Sequence, residues 1–139
     1  MKKSVTAGVW GGIIGGIIFG MMMQMMGMIS MVAMMVGSSQ LVVGWIIHMI
    51  ISLVFGVVFG ILANMTNRIF ILSIVYGIFI WIVGPLVVMP LMLGMGTNLV
   101  NAFAPEQLMS LGTHIFFSLI LAIVYKFYPS KTAEQKVSA

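Results

Sequence analysis

The sequence predicts an all-α integral membrane protein, with four transmembrane helices arranged as two parallel helical-hairpin repeats and both termini on the cytoplasmic side. Three observations carry that expectation. First, 62% of the 139 residues are hydrophobic and 6% are charged, against roughly 45–50% and about 25% in soluble domains. Second, the chain holds four apolar stretches, each long enough to supply the ~20 residues that cross a hydrocarbon core of roughly 30 Å. Third, the motif His48-Met49-Ile50-Ile51-Ser52-Leu53 returns as His114-Ile115-Phe116-Phe117-Ser118-Leu119. Each copy is a histidine, three apolar residues and Ser-Leu, followed by an apolar run to the end of a span.

The first span is expected over 5–27. Met1-Lys2-Lys3 ahead of an apolar run resembles the start of a secretory signal. The run continues to about residue 36, well past a signal's h-region of roughly 7–15 residues, with no convincing small-x-small cleavage site at the expected distance. It therefore reads as a retained membrane helix. The second span is expected over 39–63, with Ser38-Ser39 as its N-cap. The third runs over 69–95 and contains Gly84-Pro85 and Pro90. The fourth runs over 105–128, with Pro105 at its first turn and Glu106 on the positive end of its dipole. Residues 1–128 thus form one transmembrane domain. The polar tail, 129–139, is expected to be disordered and cytoplasmic.

All six basic residues, Lys2, Lys3, Arg68, Lys126, Lys131 and Lys136, fall at the termini or in the 64–68 connection. The other two connections hold none, so the positive-inside rule places both termini in the cytoplasm. The same distribution excludes a nucleic-acid surface, because no basic stripe exists to follow phosphates. The chain has no cysteine, which removes disulfides and thiolate chemistry.

The duplication extends beyond the histidine motif. Ser4, Gly8, Gly15, Met23, Met26 and Gly27 match Ser73, Gly77, Gly84, Met92, Met95 and Gly96 at one offset. Residues from about 4 to 63 and from about 73 to 128 therefore read as two copies of one hairpin. A two-span unit restores the starting side, so the copies are parallel. The match of Gly27 to Gly96 also predicts that the first crossing ends near Gly27. Residues 28–36 would then form a short helix in the outer interface instead of prolonging one tilted span.

Several residues are candidates for chemistry. His48 and His114 are expected deep in the bilayer, where ionisable groups are costly and face the bundle interior or a polar cavity. Each lies on a stripe of four-residue period: Gly44, His48, Ser52, Gly56 and Gly60, and Ser110, His114, Ser118 and Ala122. Such a period keeps side chains on one helix face, and small residues there let helices approach closely. If the two stripes meet at a pseudo-axis, the histidines come together. In the bland reading, each imidazole bonds a serine or a freed carbonyl and joins helices. In the functional reading, the pair with Ser52 and Ser118 binds a ligand, a haem iron or a metal, or carries protons.

Pro85 and Pro90 are expected to kink the third span and to free the carbonyls of Trp81 and Leu86. Freed carbonyls at a polar level can build a site. Glycines 8, 12, 16 and 20 form a close-packing face in the first span, either within the fold or between copies in a dimer, and Gln24 continues it with a bond across the bundle. Thioethers and imidazoles together suit Cu(I), so Met22, Met26 and Met92 with His48 and His114 form the metal candidate. Met22-x-x-x-Met26 resembles the methionine pair of eukaryotic copper transporters over one helical turn. Most of the methionines must face lipid, since nine within 21–35 cannot share a face. No enzyme signature is present. Glu106 and Glu134 lie outside the spans, and Ser52 and Ser118 lack an orienting acid.

The stretches Thr113-His114-Ile115-Phe116-Phe117-Ser118 and Met89-Pro90-Leu91-Met92 resemble those of the YagU-like bacterial inner-membrane proteins, mainly over the last two spans. The resemblance implies a small multi-pass protein of the bacterial plasma membrane. That family has no established reaction, so no functional residue is carried over.

The leading functional expectation is non-enzymatic: a binding, scaffold or accessory subunit in the lipid bilayer, alone, as a homodimer or in a larger membrane complex. The alternatives are a small cation or proton permeation unit using the histidine pair, and a bis-histidine haem b or Cu(I) protein. No cofactor is required by the leading expectation.

Overall fold

The computed structural model describes residues 2–129. The expected disordered tail, apart from Pro129, lies outside the described residues. Four helices are long and apolar enough to span a membrane, covering Lys3–Met25, Leu41–Ala63, Ile69–Met92 and Pro105–Phe127, and no strand occurs among the described residues.

Helix α1 (Lys2–Met25) is unbroken until Gly27. Gly27 takes a φ of +72°, a left-handed conformation that only glycine adopts without steric cost. Its sequence match Gly96 has a φ of +71°. After the turn comes α2 (Met28–Met34), which buries Ile29, Val32 and Ala33. Ser30 Oγ donates to the Gly27 carbonyl at 2.8 Å and fixes the start of α2. The expected break is therefore present.

Helix α3 (Leu41–Ala63) starts from Gln40, which makes no side-chain cap. This corrects the expected Ser38-Ser39 cap. Ser38 Oγ instead accepts from the Gln40 amide at 3.2 Å and shapes the turn just before the helix.

α1 is the centre of the bundle and packs on two helices through two glycine faces. On one face a Cβ added at Gly8 would strike the Gly56 carbonyl, and one at Gly60 would strike the Ser4 carbonyl. A Cβ at Gly12 would lie 2.7 Å from the Ser52 carbonyl. The two backbones touch there with no room for side chains, the contact that small-residue stripes permit in lipid. On the other face Gly11 lies on Leu121, and Gly15 lies on Phe117.

The stripe on α3 is thus covered by α1. The condition under which the stripes of the second and fourth spans would meet face to face is therefore not fulfilled. The physical reason is steric: α1 offers four glycines in register, and a fourth-span stripe carrying His114 and Ser110 cannot approach a backbone as closely.

The third span begins as α4 (Ile69–Trp81), passes through a π-helical segment, Ile82–Val88, and ends as α5 (Met89–Met92). Pro85 sits inside the π segment. It has no amide to donate and would clash with the carbonyl four residues back. The wider turn accommodates both defects, and the Met89 amide reaches back five residues to the Gly84 carbonyl. Pro90 leaves the Leu86 carbonyl without its helical donor, as expected from the sequence. That carbonyl accepts from the Asn98 amide at 2.8 Å. A short 3-10 turn, Leu99–Asn101, precedes α6 (Pro105–Phe127). Pro105 and Glu106 open α6, and Lys126 closes it, matching the helix dipole at both ends.

Lys3 Nζ lies 5.5 Å from the centre of the Tyr125 ring, and Lys126 Nζ lies 5.2 Å from that of Phe70. The start of α1, the start of α4 and the end of α6 therefore share one end of the bundle. α4 packs mainly on α6, where Gly77 rests on Ile115. It meets α3 chiefly through Tyr76, whose hydroxyl donates to the Phe55 carbonyl at 2.8 Å and whose ring packs on Phe55 and Phe59. The two hairpins differ in register. Gly8 sits on Gly56, but its match Gly77 sits on Ile115, which aligns with Met49. That difference is two helical turns, about 10 Å along the axis.

Candidate functional site

His48 lies seven residues into α3, and His114 nine residues into α6, about 11 and 14 Å from the helix starts at 1.5 Å per residue. His48 is therefore about a third of the way along its span and His114 about two fifths. His48 Nε2 is 2.8 Å from the Gly16 carbonyl of α1. Gly16 makes this bond possible, since any side chain there would meet Ser52 and Met49. His114 Nδ1 is 2.7 Å from the Ser110 carbonyl, one turn back on its own helix. A carbonyl oxygen only accepts, so each of these nitrogens carries the proton and donates. In each neutral imidazole the second nitrogen, Nδ1 of His48 and Nε2 of His114, is a bare acceptor. Neither makes a hydrogen bond within the described residues.

Phe19 joins the two rings. Its centroid lies 5.7 Å from that of His48 and 5.1 Å from that of His114, the latter edge-on. Phe117 packs on Phe19 from α6 at 5.7 Å, and Trp45 stands edge-on to His48 at 5.9 Å. Both histidines line one cavity of about 300 Å³. The cavity is bounded by α1, α2, α3, the π segment and α6, and its polar side chains are His48, His114 and Ser52 only. The remaining wall is apolar: Phe19, Met23, Val32, Met35, Phe55, Val83, Gly84, Met89 and their neighbours. Ile50 and Val54, which also line it, are exposed on the outside of the bundle. The cavity wall therefore reaches the lateral surface of the bundle at α3.

The structure divides the residues singled out from sequence. His48, His114 and Ser52 come together, with Ser52 Oγ at 3.5 Å from His48 Nε2. Ser118 does not line the cavity; its hydroxyl is fully buried and makes no hydrogen bond within the described residues. Gln24 makes the expected bond across the bundle, accepting from Trp45 Nε1 at 2.5 Å, and does not line the cavity either. Pro85 acts indirectly, by setting the π turn that brings Val83 and Gly84 to the wall. Met22, Met26 and Met92 are not among the lining residues, and Met26 and Met92 are about half exposed.

The methionines that line the cavity with the histidines are Met23, Met35 and Met89. Sequence reasoning also missed Phe19. A signal for both existed: Gly15, Phe19 and Met23 are spaced by four and form the face of α1 next to the glycine stripe. Among the described residues no group of three or more His, Asp or Glu side chains could hold a metal ion. Comparison of the chain with protein-family models, with curated proteins and with solved structures finds no match.

Proposed function

We propose that this chain is a non-enzymatic binding protein of the membrane, whose ligand is an apolar molecule that enters its cavity from the lipid phase. The observation that supports this most is the cavity itself: an apolar chamber of about 300 Å³ reaching the lateral surface at α3, the mouth in this reading, with three polar side chains on its wall. That size lies at the lower end of small-molecule sites, which are mostly apolar with a few placed polar groups. A permeation path would need polar access from both ends of the bundle, and this wall is apolar apart from the His48, His114 and Ser52 level.

The same reading places the protein in a bacterial inner membrane, with both termini cytoplasmic. Support comes from the basic residues gathered at the end of the bundle that holds Lys3 and Lys126 and from the positive-inside rule. Two parallel hairpin repeats are supported by the aligned left-handed glycines Gly27 and Gly96. On this reading, the difference between the two registers is a divergence in packing since the duplication.

A photoreactive phenyl diazirine without polar groups tests the binding reading on the full chain in detergent. Labelling should concentrate on the peptides of Met23, Met35 and Met89 and fall in Val54→Trp, which narrows the mouth. Even labelling of the outward-facing Ile74 and Val75, with no excess in the cavity, would overturn it. The absence of cysteine makes the orientation directly testable. A single cysteine at Lys126 should react with a membrane-impermeant maleimide only from the cytoplasmic side, and one at Val100 only from the other.

A further inference from the structure

We infer that the ligand is a lipid-soluble phenol or hydroquinone, held by hydroxyl groups that donate to Nδ1 of His48 and Nε2 of His114. This assignment rests on the reading of the cavity as a ligand site and goes on to name the chemistry of its occupant. The starting point is the protonation forced on each ring. The Gly16 and Ser110 carbonyls each require an N–H from the nitrogen they face. With the imidazoles neutral, the opposite nitrogens hold lone pairs and cannot donate.

Their direction follows from the ring edges. The Cδ2–Nε2 edge of His48 lies on α1, with Nε2 on Gly16 and Cδ2 near the Gly20 position. Nδ1 therefore points away from α1. In His114 the bonded Nδ1 turns back to its own helix, which leaves Nε2 at the free tip of the side chain, in a ring that packs edge-on with Phe19. The site thus presents two acceptors, one aromatic face and otherwise apolar walls.

Each class of occupant can be weighed against that set. A cation would enter a wall that offers no acid, and an uncompensated charge at this depth is costly. A quinone or ketone would bring its oxygen lone pairs against the lone pairs of the rings. A purely apolar molecule would leave both nitrogens buried without a partner, which is also costly. A neutral aromatic ring bearing hydroxyls satisfies the acceptors and packs on Phe19, and an alkyl tail can leave through the mouth at Ile50 and Val54.

The test compares three compounds of one shape on the detergent-solubilised full chain: tert-butylhydroquinone, its isostere with methyl groups for both hydroxyls, and tert-butylbenzoquinone. Binding is read by Trp45 fluorescence under anaerobic conditions, after correction for partition into micelles. The hydroquinone should bind at least about tenfold more tightly than either of the others, since two hydrogen bonds distinguish them. His48→Leu and His114→Leu should each erase most of that preference and leave binding of the isostere in place. The comparison on the unaltered protein stands even if a histidine variant fails to fold. Equal binding of all three would overturn the phenol assignment and leave the apolar site standing. No binding of any of them, together with no cavity labelling by the diazirine, would overturn the site itself.

Discussion

Gly12→Ala is the sharpest perturbation the bundle offers. A Cβ at this position falls 2.7 Å from the Ser52 carbonyl and 3.0 Å from the Leu53 Cα. Both are backbone atoms, so no side chain can rotate aside. Restoring ordinary contact requires α1 and α3 to separate by about 0.7 Å. The same interface carries the 2.8 Å bond from His48 to Gly16, which that retreat would stretch to about 3.5 Å, the outer limit of a hydrogen bond. Overpacking of this kind costs about 1–3 kcal/mol. Gly112→Ala is the matched control, because a Cβ there meets open space, and its stability should stay within about 0.5 kcal/mol of the parent. Reversible unfolding in mixed dodecylmaltoside and dodecyl sulfate micelles, followed by tryptophan fluorescence, measures both. Gly12→Ala should unfold at a lower dodecyl sulfate fraction and lose hydroquinone binding along with the His48 bond. Equal midpoints for Gly12→Ala and Gly112→Ala would refute the close α1–α3 contact as a source of stability.

Other variants separate further effects. Gly27→Ala adds a side chain into open space but at a φ of +72°; it should cost about 1–2 kcal/mol through the backbone alone, whereas Gly27→D-Ala made by synthesis should be neutral in the same unfolding assay. Tyr76→Phe removes the one hydroxyl bond across the α3 seam, which should cost about 1 kcal/mol and speed ligand exchange in stopped-flow fluorescence; unchanged exchange would place the mouth elsewhere. Gln24→Leu leaves Trp45 Nε1 without its acceptor; it should shift Trp45 emission and lower stability by about 0.6 kcal/mol, and an unaltered spectrum would contradict the bond.

The four spans could be read directly, because apolar length is a property of composition. The break after the first span could be read only through the sequence match that pairs Gly27 with Gly96. A run from Met21 to Val36 that is apolar apart from Gln24 and Ser30 conceals it otherwise. Less could be read of the packing. A small-residue stripe states that a face comes close to something, and leaves the partner open; α3 found α1, where the motif suggested α6. The choice of methionines depended on the rotation of α1 about its axis, which apolar residues on every side do not specify. Met23, in place of Met22 or Met26, follows once Gly15 is seated on Phe117. The proline in the third span announced an irregularity, but its form as a seven-residue π segment depended on neighbours that brace it.

The central place of α1 has a consequence for how the chain is assembled. Synthesis delivers the helices in order from the N-terminus. α3 meets its glycine-lined partner as soon as it enters the bilayer, so the first hairpin can close on its own. α4 arrives next and finds chiefly the Tyr76 contact on α3, with its main partner, α6, still to be made. The third span therefore spends its early life largely facing lipid and is drawn in last, when α6 binds α1 and α4 together. The edge that closes last during synthesis is also the edge that carries the proposed ligand entry, so the order of translation and the proposed path share one seam.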